Sequence, residues 1–437
     1  MTIKKSIGLL LLFLVIVRKV TECKEFKSCE TIRSRVDCSS GIGSRNGGSS
    51  NLTEAQCRGR GCCYDEGACY YPGEGVPIDT LHMINSNHFD AGYADLTANV
   101  VNLYFEVFFP RAAMVGKDLR TNSSYAGRPG AGQPLKWMTF SYLISLFFDC
   151  PPNMRIRCPN ETQKSIVREA IQNEDIVWPA FPHNAELATA DASLLRFGVT
   201  LSQEMETRFN TSGIASSVLS TRDVPGMPVS AIPILKKAGV VALSEGMNGR
   251  IKPVNVPPAF VWRSSDGNTT MPVLWHWKGY GKIDDPGNPI QLPYTSHAIA
   301  YCWRDDNTGP PLSAEEVLQN AETLLGRLNN KAASIRVVSS SLGEYVRVVA
   351  KDNAWERLPI VDKDLSDSWI WGVGSDPVKM QRMRAIARAR TACEAMTWSA
   401  CGPEDHAYWN FSRLALKNLE HTYVVVVVVV VLGSSHA

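Results

Sequence analysis

Four textures follow one another along the chain. Residues 8–17 form an unbroken apolar run behind Lys4 and Lys5, and residues 23–74 then lose hydrophobic rhythm amid cysteine, glycine, serine and asparagine. From residue 75 onward, apolar stretches of strand length alternate with helical patterns. Residues 78–84 predict a buried strand and 96–107 a helix with apolar positions at helical spacing. A helix at 232–238, stopped by Gly239, precedes a strand at 240–243, and a long amphipathic helix at 314–328 precedes a strand at 335–338. The last texture is a valine run over 424–431 closed by Leu432. Strands alternating with helices imply a parallel sheet, so the expected fold class is α/β, with a barrel-like parallel-sheet domain behind a small disulfide-rich one.

The first run has the form of a secretory signal, and 1–22 is expected to be removed on export. An amphipathic N-terminal helix is the alternative, because Arg18 and Lys19 follow the run directly. Neither this run nor the valine run is long enough to cross a bilayer as a helix, so no spanning segment is expected. Two further features point to a secreted, extracellular glycoprotein. Six Asn-x-Ser/Thr sites occur, at Asn51, Asn122, Asn160, Asn210, Asn268 and Asn410, and the chain holds 12 cysteines, an oxidising-compartment usage. Lys and Arg number 45 against 43 for Asp and Glu, which leaves no basic footprint for a nucleic acid.

Residues 23–74 carry seven of those cysteines, too few other residues to bury a self-sufficient core, and the adjacent pair Cys62 and Cys63, which must seek different partners. Six cysteines permit 15 connectivities. The segments Arg35-Val36-Asp37-Cys38, Asn51-Leu52-Thr53-Glu54-Ala55-Gln56-Cys57 and Arg60-Gly61-Cys62-Cys63-Tyr64-Asp65, closing on Cys69-Tyr70-Tyr71-Pro72, resemble a trefoil (P-type) domain. The resemblance implies Cys29 with Cys63, Cys38 with Cys62 and Cys57 with Cys69. It also implies carbohydrate or mucin contact, for which Tyr64, Tyr70 and Tyr71 are the local aromatic candidates; a compact spacer is the alternative. The gap from Cys38 to Cys57 is longer, and that from Cys63 to Cys69 shorter, than the family's usual pattern.

In the larger domain, residues 75–420, chemistry is expected just after the strands. His88 and Asp90, two apart on an extended segment, project to one side as two ligands of one divalent ion require. A helix cap beside an acid is the ordinary alternative. Their setting, His82-Met83-Ile84-Asn85-Ser86-Asn87-His88-Phe89-Asp90-Ala91-Gly92-Tyr93, resembles the opening of the family 38 glycoside hydrolases, the retaining α-mannosidases. The likeness continues at Arg222-Asp223-Val224-Pro225-Gly226-Met227, Trp262-Arg263, Trp275-His276-Trp277-Lys278-Gly279-Tyr280-Gly281 and Ser368-Trp369-Ile370-Trp371. It implies zinc held by His88, Asp90, Asp223 and a late histidine, taken as His406, with Asp223 also the catalytic nucleophile. Trp275, His276 and Tyr280 would bind the sugar. A helix N-cap is the alternative for Asp223 and core packing for the tryptophans, while His183 and Glu186 either face the substrate or, as the commoner use, form a solvated helix end. Asp376 before Pro377 is either a second carboxylate or a turn former, and no residue is assigned as general acid.

Cys150 with Cys158 and Cys393 with Cys401 are spaced to close small loops, leaving Cys23 and Cys302 as a further pair. Residues 421–437 read as a low-complexity tail. The function implied is a secreted zinc-dependent glycosidase acting on a carbohydrate or glycoprotein substrate. The rivals are an inactive glycan-binding or mucus-associated protein and a deacetylase-like metal enzyme in which water, not Asp223, attacks.

Overall fold

The computed structural model describes residues 29, 32, 34–39, 52–65, 67–152, 154–224, 226–248, 254–276, 279–285, 288–328, 335–365, 377–396, 401–402 and 404–422. The apolar run at 8–17, Cys23, Trp277, Trp369, Trp371, Asp376 and the valine run lie outside them.

The disulfide-rich region begins its regular structure where Thr53 caps helix Glu54–Arg58 in a reciprocal box with Gln56. Strands β1 (Cys63–Asp65) and β2 (Ala68–Tyr70) pair antiparallel around Gly67, whose φ of 82° suits glycine. Three bridges join Cys29–Cys63, Cys38–Cys62 and Cys57–Cys69, the pairing that the trefoil resemblance implies. The region is not a bead on a string. Tyr71 is fully buried, and its hydroxyl takes the N–H of Ala259 at 2.9 Å while donating to the Ala259 carbonyl at 3.2 Å. Arg60 bonds Asn255, which bonds back to the Gln56 carbonyl.

The main body is mixed α/β. Strand β3 (Thr80–Asn87) is central to a six-stranded sheet. One edge pairs in parallel along its whole length with β11 (His297–Arg304); the other meets β12 (Arg336–Ser339) over its first half and β4 (Trp137–Met138) at Ser86. β5 (Ile176–Val177) extends the sheet beyond β4, and β10 (Ile290–Gln291) closes the far side antiparallel to β11. A second, five-stranded sheet runs β13 (Ile360–Val361), β8 (Ala259–Arg263), β9 (Thr270–His276), β7 (Ala242–Met247), β6 (Val218–Asp223), parallel except for the β8–β9 hairpin. Among the described residues the strands therefore form two sheets rather than one closed ring. They meet where the Ala180 N–H bonds the Val218 carbonyl at 2.8 Å.

Strand alternation sorts the side chains onto two faces. Leu81, Met83, Leu219, Leu243 and Val273 pack outward in one core with the helices. Ile84, Val218, Ala242, Leu274, Ile299 and Tyr301 fill a second core between the sheets, and Cys38, Cys57, Cys62, Cys69 and Tyr71 belong to that same cluster. The strand expected at 240–243 runs on to Met247 because its polar residues Ser244 and Glu245 are buried, not exposed. Arg222, fully buried, is the reason for part of this: it donates to the carbonyls of Thr221 and Ser244, both at 2.7 Å, and to that of Tyr280 at 2.8 Å. Gly246 makes room, since a Cβ there would lie 2.2 Å from Arg222 Cδ. Among the described residues no helix is long and apolar enough to cross a membrane.

Candidate metal centre

β3 and β11 are parallel and in register to their ends, Asn87 opposite Arg304, so the segments that follow them leave the sheet side by side. His88 and Asp90 come off β3. Asn307, off β11, clamps them: its N–H bonds the His88 carbonyl at 2.9 Å and its side chain exchanges two hydrogen bonds with the Asp90 backbone. β6 ends on Asp223 at φ 74°, a left-handed conformation that is strained for an aspartate. This backbone does not cap a helix, because the next helix starts only at Ala231. Asn248 donates to Asp223 Oδ1 at 2.5 Å.

These two strand ends converge with a residue from near the end of the chain. Ligand atoms of His88, Asp90, Asp223 and His421 all lie within 4.8 Å of one another. His88 Nε2 is 2.9 Å from Asp90 Oδ1, 3.2 Å from His421 Nε2 and 3.9 Å from Asp223 Oδ2; His421 Nε2 is 3.1 Å from Asp90 Oδ1 and 3.4 Å from Asp223 Oδ2. Three of the four are buried, and only Asp223 keeps a partly open side chain, at 15%. Two imidazoles and two carboxylates converging on one point are the number and kind of donors that zinc takes, so the residues present fit a divalent cation.

The electrostatics are those of a crowded anionic site. Burial alone would raise the Asp90 carboxyl, but His88 and His421 hold it well below its ordinary value. Burial would likewise lower His421, yet Glu420 first, then Asp223 and Asp90, hold its ring protonated well above the usual histidine range. Burial pushes Asp306 upward; His88 pulls against this, while Asp90 and Asp223 add to it. Asp306 bonds Tyr280, whose ring stacks on His88 at 4.3 Å and 17°.

Several expected site residues sit elsewhere. His406 is not in the group: it is exposed at the start of helix His406–Leu416, beside the Asn410 amide at 3.0 Å. An 11-residue helix carries the chain about 16 Å along its axis before it returns, so its first residue cannot share a centre with His421. His421, assigned by composition to the tail, is 2% exposed. Trp275 is 1% exposed in the main core and has no face open to a sugar. His276 is buried against Asp285 Oδ2 at 3.3 Å and Tyr301. Of the three expected sugar contacts only Tyr280 lies at the centre. His183 and Glu186 are buried rather than solvated; His183 donates to the Leu416 carbonyl at 2.9 Å, and burial lowers its pKa to about 4.

Asp306 and Asn307 were legible in principle, because Asp305-Asp306-Asn307 comes one residue, Arg304, after the apolar segment 298–303 and satisfies the same strand-end rule as His88. Cys150–Cys158 and Cys393–Cys401 are bridged, and Cys302 is buried without a disulfide among the described residues.

No protein-family model matches this chain, and no curated protein matches it. Solved structures do. An α-mannosidase from Enterococcus faecalis V583 superposes with a TM-score of 0.57 at 12% identity, over 79% of this chain and 39% of its own. A protein in glycosyl hydrolase family 38, also from Enterococcus faecalis, gives 0.49 at 10% identity over 79% and 36%. A 4-α-glucanotransferase from Thermococcus litoralis gives 0.38 at 8% over 71% and 45%. The likeness to the first is one of fold. The chain spans about two fifths of that mannosidase's length.

Proposed function

We propose that the chain is a secreted, zinc-dependent glycoside hydrolase of the retaining α-mannosidase kind, carrying a trefoil module at its disulfide-rich end. The observation that carries this reading is the convergence of His88, Asp90, Asp223 and His421 at the ends of β3 and β6. The mannosidase fold likeness and the disulfides support it.

A retaining glycosidase needs one carboxylate to attack the anomeric carbon and another to protonate the leaving oxygen. Asp223, partly open and fixed by Asn248, takes the first role. Asp306 takes the second: burial beside other carboxylates favours its protonated form, and Tyr280 orients it. It gives its proton to the departing sugar oxygen, then receives one from the water that releases the sugar from Asp223. Zinc held by His88, Asp90, Asp223 and His421 would grip neighbouring sugar hydroxyls and favour the distorted ring. Glycan or mucin contact through the N-terminal module belongs to the same proposal, supported by Tyr64, which is half-buried at that surface.

The test is hydrolysis of aryl α-mannosides by the purified full chain and its Asp223→Ala variant, with metal content measured on both. Loss of about 10,000-fold in turnover with retained product configuration is expected. Equal turnover by the two would overturn Asp223 as the nucleophile and with it the retaining mechanism, and no turnover by the zinc-loaded parent would overturn the hydrolase in favour of an inactive glycan binder.

A further inference from the structure

Asn184 touches all three segments that build the cation group. Its carbonyl accepts the His421 N–H at 3.2 Å and lies 3.3 Å from His421 Nδ1; its side chain reaches Arg222, next to Asp223, and His88. The residue is 1% exposed, so these contacts are not shared with bulk solvent.

The polarity of that side chain is determined by its neighbours. The Arg222 backbone N–H can only donate, and it lies 2.9 Å from the Asn184 side-chain oxygen. The amide NH2 therefore faces the other way, toward the Phe89 carbonyl at 3.2 Å and His88 Nδ1 at 3.3 Å. Turning the amide over would set an NH2 against an N–H and an oxygen against a carbonyl, two repulsions for no gain. His88 Nδ1 thus accepts, and the ring proton sits on Nε2, from which it bonds Asp90 Oδ1 at 2.9 Å. His421 is held the opposite way. Its Nδ1 faces only acceptors, Glu420 Oε1 at 2.9 Å and the Asn184 carbonyl, so Nδ1 carries a proton and Nε2 points at the other ligands.

A cation shared with Asp90, Asp223 and His421 needs a lone pair on His88 Nε2, the ring atom within reach of them. Metal-bound histidines ordinarily donate their other N–H to a carboxylate or carbonyl. Here an amide donor occupies that place. We infer that Asn184 is a tautomer lock that opposes cation binding at His88, so that this chain holds its cation weakly and an acceptor at position 184 would tighten it. The inference rests on the cation reading above but concerns this chain's own departure from a strong site. It gives Asn184 a positioning role, acting through His88.

Two measurements test it on the full chain. In the metal-free protein, long-range proton–nitrogen NMR of the imidazoles is expected to show His88 protonated at Nε2 and bare at Nδ1; a proton on His88 Nδ1 would overturn the inference. Zinc affinity, measured by competition with a chromophoric chelator, is expected to rise at least about 10-fold in Asn184→Asp, whose carboxylate accepts from Nδ1. Equal or weaker affinity, in two proteins that both bind zinc, would overturn the inference alone; no zinc binding by either would overturn the cation reading with it. Should Asn184→Asp not fold, Asn184→Ala serves: affinity at or above that of the parent is expected, and a 10-fold loss, which a supporting residue would produce, would overturn the lock.

Discussion

The disulfide-rich region and the cation group solve the same problem, fixing side chains in a unique arrangement, by opposite means. Between Cys29 and Cys69, three covalent bridges link residues at most 34 apart in sequence. They act largely on the unfolded chain, by shrinking what it can explore. The cation group instead gathers residues from 88 to 421 with hydrogen bonds alone, and its geometry exists only once both sheets have formed. The first arrangement is expected to survive local damage to the sheets, and the second to respond to any change in how distant segments dock. The comparison can be broken from either side.

The largest effect should come from the site. His421→Ala is expected to weaken zinc binding by more than about 100-fold, since loss of an outer partner alone costs 10- to 100-fold. His406→Ala should leave affinity within about 2-fold, because an exposed helix end has no path to the centre. Chelator competition on the two variants checks this; the reverse ranking would return the fourth position to His406.

That contrast also shows what the sequence could and could not tell. Cysteine spacing in the small region leaves 15 connectivities open, so its pairing was legible only through the short segments that resemble a trefoil domain. His88 and Asp90 were readable because they come just after the strand that ends at Asn87, whereas Asp223, the last residue of β6, was legible only through the likeness of residues 222–227 to the mannosidases. His421 was hidden by its neighbourhood: a valine run drew the boundary just before it, and the pairing beside it, Glu420 against Ala185, joins residues more than 200 apart. Asn184 carried no signal at all, since a lone asparagine in a loop has many uses and its role depends on which backbone groups meet it. Barrel closure was not legible for a related reason. Strand and helix alternation specifies parallel pairing but not whether the first and last strands find each other.

The next effect concerns the body behind the site. Burial lifts the Glu245 carboxyl to about 7, against the hydrogen bond from Thr221 and the nearby Arg222. The native state therefore keeps a proton that the unfolded chain releases near its ordinary 4.5, and stability falls as pH rises from there to about 7, then stays level. Glu245→Gln keeps an acceptor for the Thr221 hydroxyl and removes the slope, so at pH 8 it should gain up to about 3 kcal/mol in urea unfolding, and nothing at pH 4. Unfolding of the bridged region, followed by proteolysis within 29–71, should lack this pH slope. A parent protein equally stable at pH 5 and 8 would sink the prediction.

The smallest effect lies at the seam, where the two regions cease to be separate. The Tyr71 hydroxyl both takes the Ala259 N–H and donates to its carbonyl, and it is fully buried. Tyr71→Phe keeps the ring volume and leaves both Ala259 groups without that partner, which costs about 2 kcal/mol. Ala259 begins β8, and β8 holds β9 by the hairpin ladder, so the damage falls on the second sheet and not on the bridges. Thermal unfolding should show the body melting earlier while the three disulfides keep the region around Cys57 resistant to protease. If both regions instead melt together in the variant as in the parent, with an unchanged midpoint, then the shared core of Tyr71 with Ile84, Leu274 and Ile299 outweighs the polar seam, and the covalent and non-covalent parts are one folding unit.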